Sequence, residues 1–162
     1  MKTFRTCILI LAMSAIVVSC EKDDEDFTQV SAFENELHKE VNKYRVSQGM
    51  SELVLQFVMV KEAQAHARGR ANGSISEETA LGDIKERWNT VEDKLGAANI
   101  SNEQSISSQI TTQTAAEVVA EWASHPDGRN LLEGDYTQSG PGIGTTSDGR
   151  TYILHMFCKW TE

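Results

Sequence analysis

The side chains that could carry chemistry in this sequence are four histidines, three cysteines and a polar tract rich in serine. A serine nucleophile is often found in a Gly-x-Ser-x-Gly elbow and a redox site in a Cys-x-x-Cys pair, and neither pattern occurs. The glycine motifs that bind phosphates or dinucleotides are absent as well. Any reactive group must therefore be sought among the individual histidines and acids.

The four histidines differ in their sequence setting. His66 stands on a helix pattern beside a stripe of alanines, and His155 stands inside the last strand-like run, so we expect both to be structural. His38 lies off the apolar face of the first helix pattern and is expected to be solvated. His125 is the one histidine in a predicted loop, which makes it the best candidate for a functional site, although a surface histidine is the alternative.

A cysteine near the N-terminus has the setting of a modification site. Cys20 ends the run Val17-Val18-Ser19-Cys20, behind an apolar segment, residues 7–18, and two basic residues. That segment is too short to cross a bilayer, which takes about 20 residues. The pattern resembles a bacterial lipoprotein signal, so residues 1–19 are predicted to be cleaved and Cys20 to be lipidated. The alternatives are an ordinary secretory signal or a buried helix.

Lipidation at Cys20 predicts where the protein resides. Two or more lipid chains anchor a protein stably to a membrane, whereas one does so only marginally. The acidic run 21–26 is expected to form a solvated tether within residues 20–29, with a plain spacer as the alternative. It is similar to the acidic tracts of surface-exposed lipoproteins. We predict an outer-membrane lipoprotein whose domain, residues 30–162, faces the cell surface or the periplasm.

Charge and cysteine usage exclude several classes of partner and bond. Cleavage removes Lys2 and Arg5 from 15 basic residues, and the remaining 13 against 24 acids give a net charge of −11. Such an acidic chain is a poor ligand for nucleic acid. Cys7 leaves with the signal, so Cys158 remains as an unmodified thiol without a disulfide partner. We expect it to be packed inside the domain.

The elements that must position any site are mostly helices followed by a terminal hairpin. Apolar periodicity and capping residues predict the helices, and Asp148-Gly149 between two strand-like runs predicts the hairpin. Both faces of the last strand are apolar, so helices should cover both sides of the sheet. Residues 101–114 are expected to be mainly loop, and residues 126–128 to break the chain. The predicted helices are 31–48, 57–70, 84–93 and 114–122, and the predicted strands are 139–146 and 150–159, with a short strand near 98–100.

The order of these pieces resembles the CAP superfamily, which comprises cysteine-rich secretory proteins, antigen 5 and pathogenesis-related proteins, in its bacterial single-domain branch. The likeness covers about residues 33–158 and depends on the order and spacing of short motifs rather than on one motif. It implies an α+β fold, an α-β-α sandwich with a small antiparallel sheet between helical layers. The matching stretches are Val41–Arg45, Ala63–Ala67, Ala115–Trp122, Arg129–Leu132 and Gly140–Gly144.

The resemblance also implies a cleft lined by two histidines and two acids that can hold a divalent metal. At the matching positions this chain has Glu77, Ala98 and Gly128, and His125 is displaced three residues upstream. Two of these have no ligand atoms, whereas a tight zinc site needs three or four. We therefore predict no metal and no cofactor. The residues that we expect to line the remaining cleft are Glu77, Asn99, His125, Arg129 and Asn130.

These expectations define three hypotheses for function. The first is a lipid-anchored binding or interaction module with a degenerate metal cleft, whose ligand is a peptide, a glycan or a lipid. The second is an envelope hydrolase or peptidase with a rearranged site around His125 and Glu77. The third is a purely structural envelope lipoprotein.

Overall fold

The computed structural model describes residues 29–161 of the 162-residue chain. The predicted signal peptide, the lipidated Cys20 and residues 20–28 of the tether lie outside the described residues, so these remain predictions. Within residues 29–161, no helix is both long and apolar enough to cross a membrane.

The described residues contain five α-helices, and two of them begin with reciprocal side-chain caps. Ser31 and Glu34 form a capping box before the first helix, and Thr114 and Glu117 form one before the fourth. These caps fix helix starts that the sequence already predicted. The helices are α1 Ala32–Ser47, α2 Phe57–Asn72, α3 Ala80–Leu95, α4 Ala115–Ser124 and α5 Pro126–Leu132.

Four strands form one sheet in the order β1-β3-β4-β2. The strands are β1 Val54–Leu55, β2 Ile100–Ile110, β3 Gln138–Thr145 and β4 Thr151–Trp160. The predicted α-β-α sandwich and terminal hairpin are confirmed. The sheet is mixed rather than purely antiparallel, because the two-residue β1 pairs with β3 in the parallel sense.

Helices cover both sides of the sheet, as the two-sided apolar pattern of β4 predicts. Ile153 and Phe157 point towards α1, α4 and α5, which form what we call the closed layer. Leu154, Met156 and Cys158 point the other way, towards α2 and α3, which form the open layer. Alternate residues of one strand thus supply both cores.

Helix α2 lies unusually close to the sheet because β3 offers it glycines. A Cβ atom added at Gly142 would lie 2.1 Å from the backbone nitrogen of Gln64, and one at Gly140 would lie 2.5 Å from that of Val60. Both contacts involve backbone atoms that cannot move aside cheaply. The glycines therefore set the distance between α2 and the sheet, and with it the position of every side chain on α2.

Three sequence predictions about the middle of the chain are wrong. Of residues 101–114, expected to be mainly loop, residues 101–110 belong to the eleven-residue outer strand β2, because β4 supplies a pairing partner that no local pattern reveals. Helix α3 begins at Ala80 rather than near residue 84. Residues 126–128 do not break the chain, since Pro126 occupies the first turn of α5, where a missing N–H costs nothing.

Candidate functional site

The residues predicted to share one cleft are not brought together. His125, Arg129 and Asn130 lie on the exposed surface where α4 meets α5, in the closed layer, and the Arg129 side chain donates to the Ala123 carbonyl at 3.0 Å. Glu77 lies on the turn between α2 and α3, in the open layer. His125 and Glu77 thus belong to opposite layers of the sandwich.

The fifth predicted cleft residue serves the backbone. Asn99 lies in a short 3₁₀ turn, Ala97–Asn99, where its side-chain amide donates to the Leu95 carbonyl at 3.4 Å. The backbone carbonyl of Asn99 accepts a hydrogen bond from the Thr161 N–H at 3.0 Å. These bonds tie the end of α3 to the end of the sheet.

The metal that the family resemblance implies does not fit the residues present. A Cβ at Gly128 would lie 2.3 Å from the carbonyl oxygen of Trp122, so backbone packing leaves no room for a ligating side chain there. Ala98 has no ligand atom. Within the described part of the chain, no group of three or more His, Cys, Asp or Glu residues is arranged to hold a metal ion.

A cavity of about 360 Å³ opens instead in the open layer, between α2, the α2–α3 turn and the ends of β2 and β4. This volume lies within the range of small-ligand pockets. Its wall combines charged, polar and apolar side chains. We call it the α2–α3 cavity; it is lined by His66, Arg70, Glu77, Ala80, Leu81, Ile84, Ser107, Ser108, Gln109, Tyr152 and Ile153.

His66 is held in this cavity by a carboxylate. The ring is only 3 % exposed, and its Nδ1 lies 2.7 Å from Asp83 on α3. Burial lowers the pKa of His66, although the Asp83 contact opposes that effect. A neutral ring that faces a carboxylate must carry its proton on Nδ1, so Nε2 is the acceptor nitrogen of the ring. As the sequence predicts, His66 is buried and hydrogen-bonded; it also lines the cavity.

Asp83 is fixed from a second side by Arg87, one turn further along α3. The guanidinium donates to both Asp83 oxygens, at 3.3 and 3.0 Å, and to Glu62 on α2 at 3.2 Å. Burial alone would raise the pKa of Asp83, but the hydrogen bonds from Arg87 and His66 outweigh it and lower the pKa. Asp83 is therefore an anion that orients His66 and joins α2 to α3.

Arg70 supplies a cation next to His66, one helical turn further along α2. Its side chain is 13 % exposed, and its guanidinium lies over the Tyr152 ring, 5.2 Å from the centroid. The guanidinium donates to the Ser76 carbonyl at 3.1 Å and is paired with Glu77, whose side chain is 88 % exposed. A nearly buried cation is thus neutralised by a carboxylate on a solvent-exposed turn.

The cavity continues into an open groove of about 470 Å³ along α3. Leu81 and Ile84 line both spaces, and a hydrogen bond of 3.3 Å from Trp88 on α3 to Ser105 on β2 lies along the groove. At the far end Glu92 and Glu103 face each other. Burial and the hydrogen bond to Glu92 raise the pKa of Glu103 to about 7. The cavity thus contains the paired cation Arg70, and the far end of the groove is acidic.

The closed layer contains two further histidines, and the prediction for one of them is wrong. His38 is not solvated: its Nδ1 lies 3.0 Å from the Ser139 hydroxyl, and its Nε2 lies 3.2 Å from the Asn42 amide. The amide is a donor, so Nε2 accepts and Nδ1 donates to Ser139. His38 is therefore no base for that hydroxyl. His155 is fully buried, stacks on Phe157 and has no hydrogen-bond partner at either nitrogen among the described residues.

Sequence reasoning missed Arg70, Asp83 and Tyr152. The spacing of His66 and Arg70, four residues apart on one helix, was a usable local signal because such residues share a face. Asp83 and Tyr152 gave no comparable signal, since they approach α2 only through the packing of α3 and β4.

Comparisons with known proteins agree with this architecture. Residues 38–160 match the model of the Cysteine-rich secretory protein family, CAP. Because the match covers most of the chain, this chain belongs to the CAP family. No curated protein sequence matches it significantly.

Solved structures show the same fold at low sequence identity. An outer surface protein from Borrelia burgdorferi aligns with a TM-score of 0.63 and 17 % identity over 77 % of this chain and 90 % of that protein. A cysteine-rich secretory protein from Staphylococcus aureus gives 0.52 and 14 % over 81 % of this chain and 40 % of its own. An extracellular protein with an SCP domain from Bacillus anthracis gives 0.53 and 16 % over 77 % and 39 %. At such identities the likeness concerns the fold.

Proposed function

We propose that this protein is a lipid-anchored, extracytoplasmic CAP module that binds a ligand in the α2–α3 cavity. The observation that carries the proposal is Arg70, a guanidinium that is largely removed from water at a cavity wall and is paired with a carboxylate on an exposed turn. His66, oriented by Asp83, adds an acceptor at the same place. Converging polar groups in a partly apolar cavity are typical of ligand sites.

Binding is favoured over hydrolysis by what surrounds His66. Nucleophilic catalysis needs a hydroxyl or thiol within hydrogen-bond reach of the base. Among residues 29–161, no serine, threonine or tyrosine hydroxyl is hydrogen-bonded to His66, and Ser107 and Tyr152 only line the cavity. A hydrolase site that pairs His125 with Glu77 would have to bridge two layers of the fold.

The binding proposal can be tested with a fragment library and methyl-labelled full-length protein in detergent micelles. Fragments should shift the methyl signals of Ala80, Leu81 and Ile84, and leave those of Val46 and Val54, exposed elsewhere, unchanged. Ala80→Trp, which fills the cavity without removing a charge, should abolish the shifts. Fragments that shift only methyl groups outside the cavity, or none, would contradict the proposal.

The anchor is supported by the sequence pattern that ends at Cys20, and its test is independent of the cavity. The full chain should sediment with the membrane fraction, and Cys20→Ala should release it. Labelling of intact cells with an impermeant amine reagent then distinguishes a surface location from a periplasmic one. Attachment that survives Cys20→Ala would exclude lipidation as the anchor.

A further inference from the structure

The α2–α3 cavity presents a donor and an acceptor side by side. Arg70 offers guanidinium N–H groups, and His66 offers the lone pair of Nε2, because Asp83 holds the proton on Nδ1. The two residues are four positions apart on α2 and both line the cavity, so they lie on the same face of the helix. A carboxylate with an amide N–H next to it complements this pair, and every peptide C-terminus has that arrangement.

The ion pair with Glu77 already shows that the guanidinium of Arg70 can bind a carboxylate. The Glu77 side chain is 88 % exposed, whereas Arg70 is 13 % exposed. Ion pairs with an exposed partner contribute little to stability. A ligand carboxylate that excludes water from the cavity can therefore displace Glu77, which acts as a placeholder while the site is empty.

The wall of the cavity also has an apolar part, which is formed by side chains of α3. Leu81 is 81 % exposed although it is large and apolar, and Ile84 lies one turn further along the same helix. Covering such residues is favourable at about 25 cal/mol per Å². The site therefore favours a C-terminal residue with an aliphatic side chain.

The groove beyond the cavity favours a peptide over a small carboxylate. Leu81 and Glu92 are eleven positions apart on α3, which is about 16 Å at the helical rise. An extended chain covers that distance in about five residues. The outer edge of β2 has no backbone partner within the described residues, so an extended chain can also pair with it.

The far end of the groove adds a charge preference. Glu92 and Glu103 face each other across it, and a cation placed between them would relieve their repulsion. Lys85 lies nearer the middle of the groove. A basic residue is thus favoured about five positions before the C-terminus.

From this arrangement we infer that the α2–α3 cavity and the adjoining groove bind the C-terminus of an extended peptide, with its carboxylate on Arg70, an aliphatic last side chain on Leu81 and Ile84, and an upstream basic residue at Glu92 and Glu103. This inference rests on the binding function proposed above and specifies its ligand class.

The test compares fluorescein-labelled Lys-Ser-Ser-Ser-Ser-Leu as a free acid and as its C-terminal amide, by anisotropy with the full-length protein in micelles. The acid should bind about ten-fold more tightly or better, the value of one charge-assisted hydrogen-bonded contact. Arg70→Met should remove that difference. Arg68→Met is the matched control, because Arg68 lies on the same helix, is exposed and lines a different depression, and it should change nothing.

The substitution Glu77→Gln distinguishes two roles of Glu77, namely a carboxylate that the ligand displaces and a residue that only supports the structure. Removing the competing carboxylate should strengthen binding of the acid by up to about five-fold, whereas a merely structural Glu77 would give weaker or unchanged binding. Glu78→Gln, the exposed neighbour, should have no effect. Replacing the peptide's lysine with glutamate should weaken binding.

The remaining outcomes separate the two proposals. Equal binding of acid and amide, abolished by Ala80→Trp, would overturn the carboxylate inference and leave the binding function intact. Binding of hexanoate without binding of the peptide acid would overturn the inference that the ligand is a peptide. It would instead indicate that the cavity binds small carboxylates. If neither peptide nor hexanoate binds and fragments leave the cavity methyl groups unshifted, both proposals fail.

Discussion

The two layers on either side of the sheet differ in how they treat buried polar groups. In the closed layer His155 is fully buried without a hydrogen-bond partner among the described residues, and the aromatic rings of Phe157 and Trp122 lie against it. In the open layer, His66 is similarly shielded but has a carboxylate partner and a cavity beside it. His155 is thus packed among aromatic rings, whereas His66 is hydrogen-bonded and lines a cavity.

The difference arises from how completely each layer is filled. Helices α1, α4 and α5 cover the closed side of the sheet with large apolar residues. On the open side α2 lies tightly against glycines of β3, but α3 bridges to the outer strand β2 mainly through Trp88. The uncovered space between α3 and β2 is the cavity and groove. A cavity thus forms where one helical layer is too narrow for the sheet.

The largest expected change in stability comes from a substitution in the core of the closed layer. Phe157→Ala should lower the free energy of unfolding by about 3–5 kcal/mol, because it leaves a void among rigid neighbours. Leu81→Ala in the cavity should change it by less than about 0.5 kcal/mol, because Leu81 is exposed. Urea unfolding measures both. Similar losses for the two variants would contradict the contrast between the layers.

The next effect tests the charged network of the open layer. Asp83→Asn should cost about 1–3 kcal/mol, because His66 and Arg87 lose the charged acceptor that joins α2 to α3. The matched control is Asp93→Asn, an exposed position on the same helix, which should be neutral. Chemical denaturation at neutral pH measures the free energy of unfolding of both variants. An unchanged free energy of unfolding in Asp83→Asn would mean that the network adds no stability.

A pH effect should report on the burial of His155 in the closed layer. Burial holds the pKa of His155 well below its ordinary value of 6.5. Below pH 6.5 the unfolded chain therefore binds protons that the native state refuses, so stability falls as the pH falls, by up to about 1.4 kcal/mol per pH unit for this group. His155→Phe should make that slope shallower.

The same experiment includes its control. His38 and His66 also have lowered pKa values, so part of the pH dependence should remain in His155→Phe. Leu81→Ala changes no titratable group and should leave the slope as in the wild type. An unchanged slope in His155→Phe, measured from urea midpoints between about pH 5 and neutrality, would show that His155 titrates normally in the native state.

The smallest effect tests where the α2–α3 cavity ends and the packed core of the open layer begins. Cys158 points into the open layer but packs against Met59, and burial raises the pKa of its thiol to about 12. Native mature protein should therefore resist alkylation by iodoacetamide at neutral pH until it unfolds. A cysteine introduced by Leu81→Cys should react readily. Fast labelling of Cys158 in the native state would show that solvent reaches the core of the open layer.

The sequence determined those parts of the molecule that depend on neighbouring residues. The capping boxes fixed the starts of α1 and α4, and the apolar alternation of β4 required helices on both sides of the sheet. The motif order around Asn42, Trp122 and Arg129 indicated the family. Each of these signals spans less than about one helix or strand, which is why it can be recognised without a fold.

Tertiary structure alone decided where the cavity is. The polar tract 101–110 became part of a strand because β4 offered it backbone partners, and residues 107–109 of that strand form one wall of the cavity. Glu77 does line this cavity, whereas His125, predicted for the same cleft, lies in the opposite layer. The proximity of Arg70 to Tyr152 depends on how closely α2 can approach the sheet, and that of His66 to Asp83 on where α3 crosses it. Those distances are set by packing between residues far apart in the chain, so no local pattern contains them.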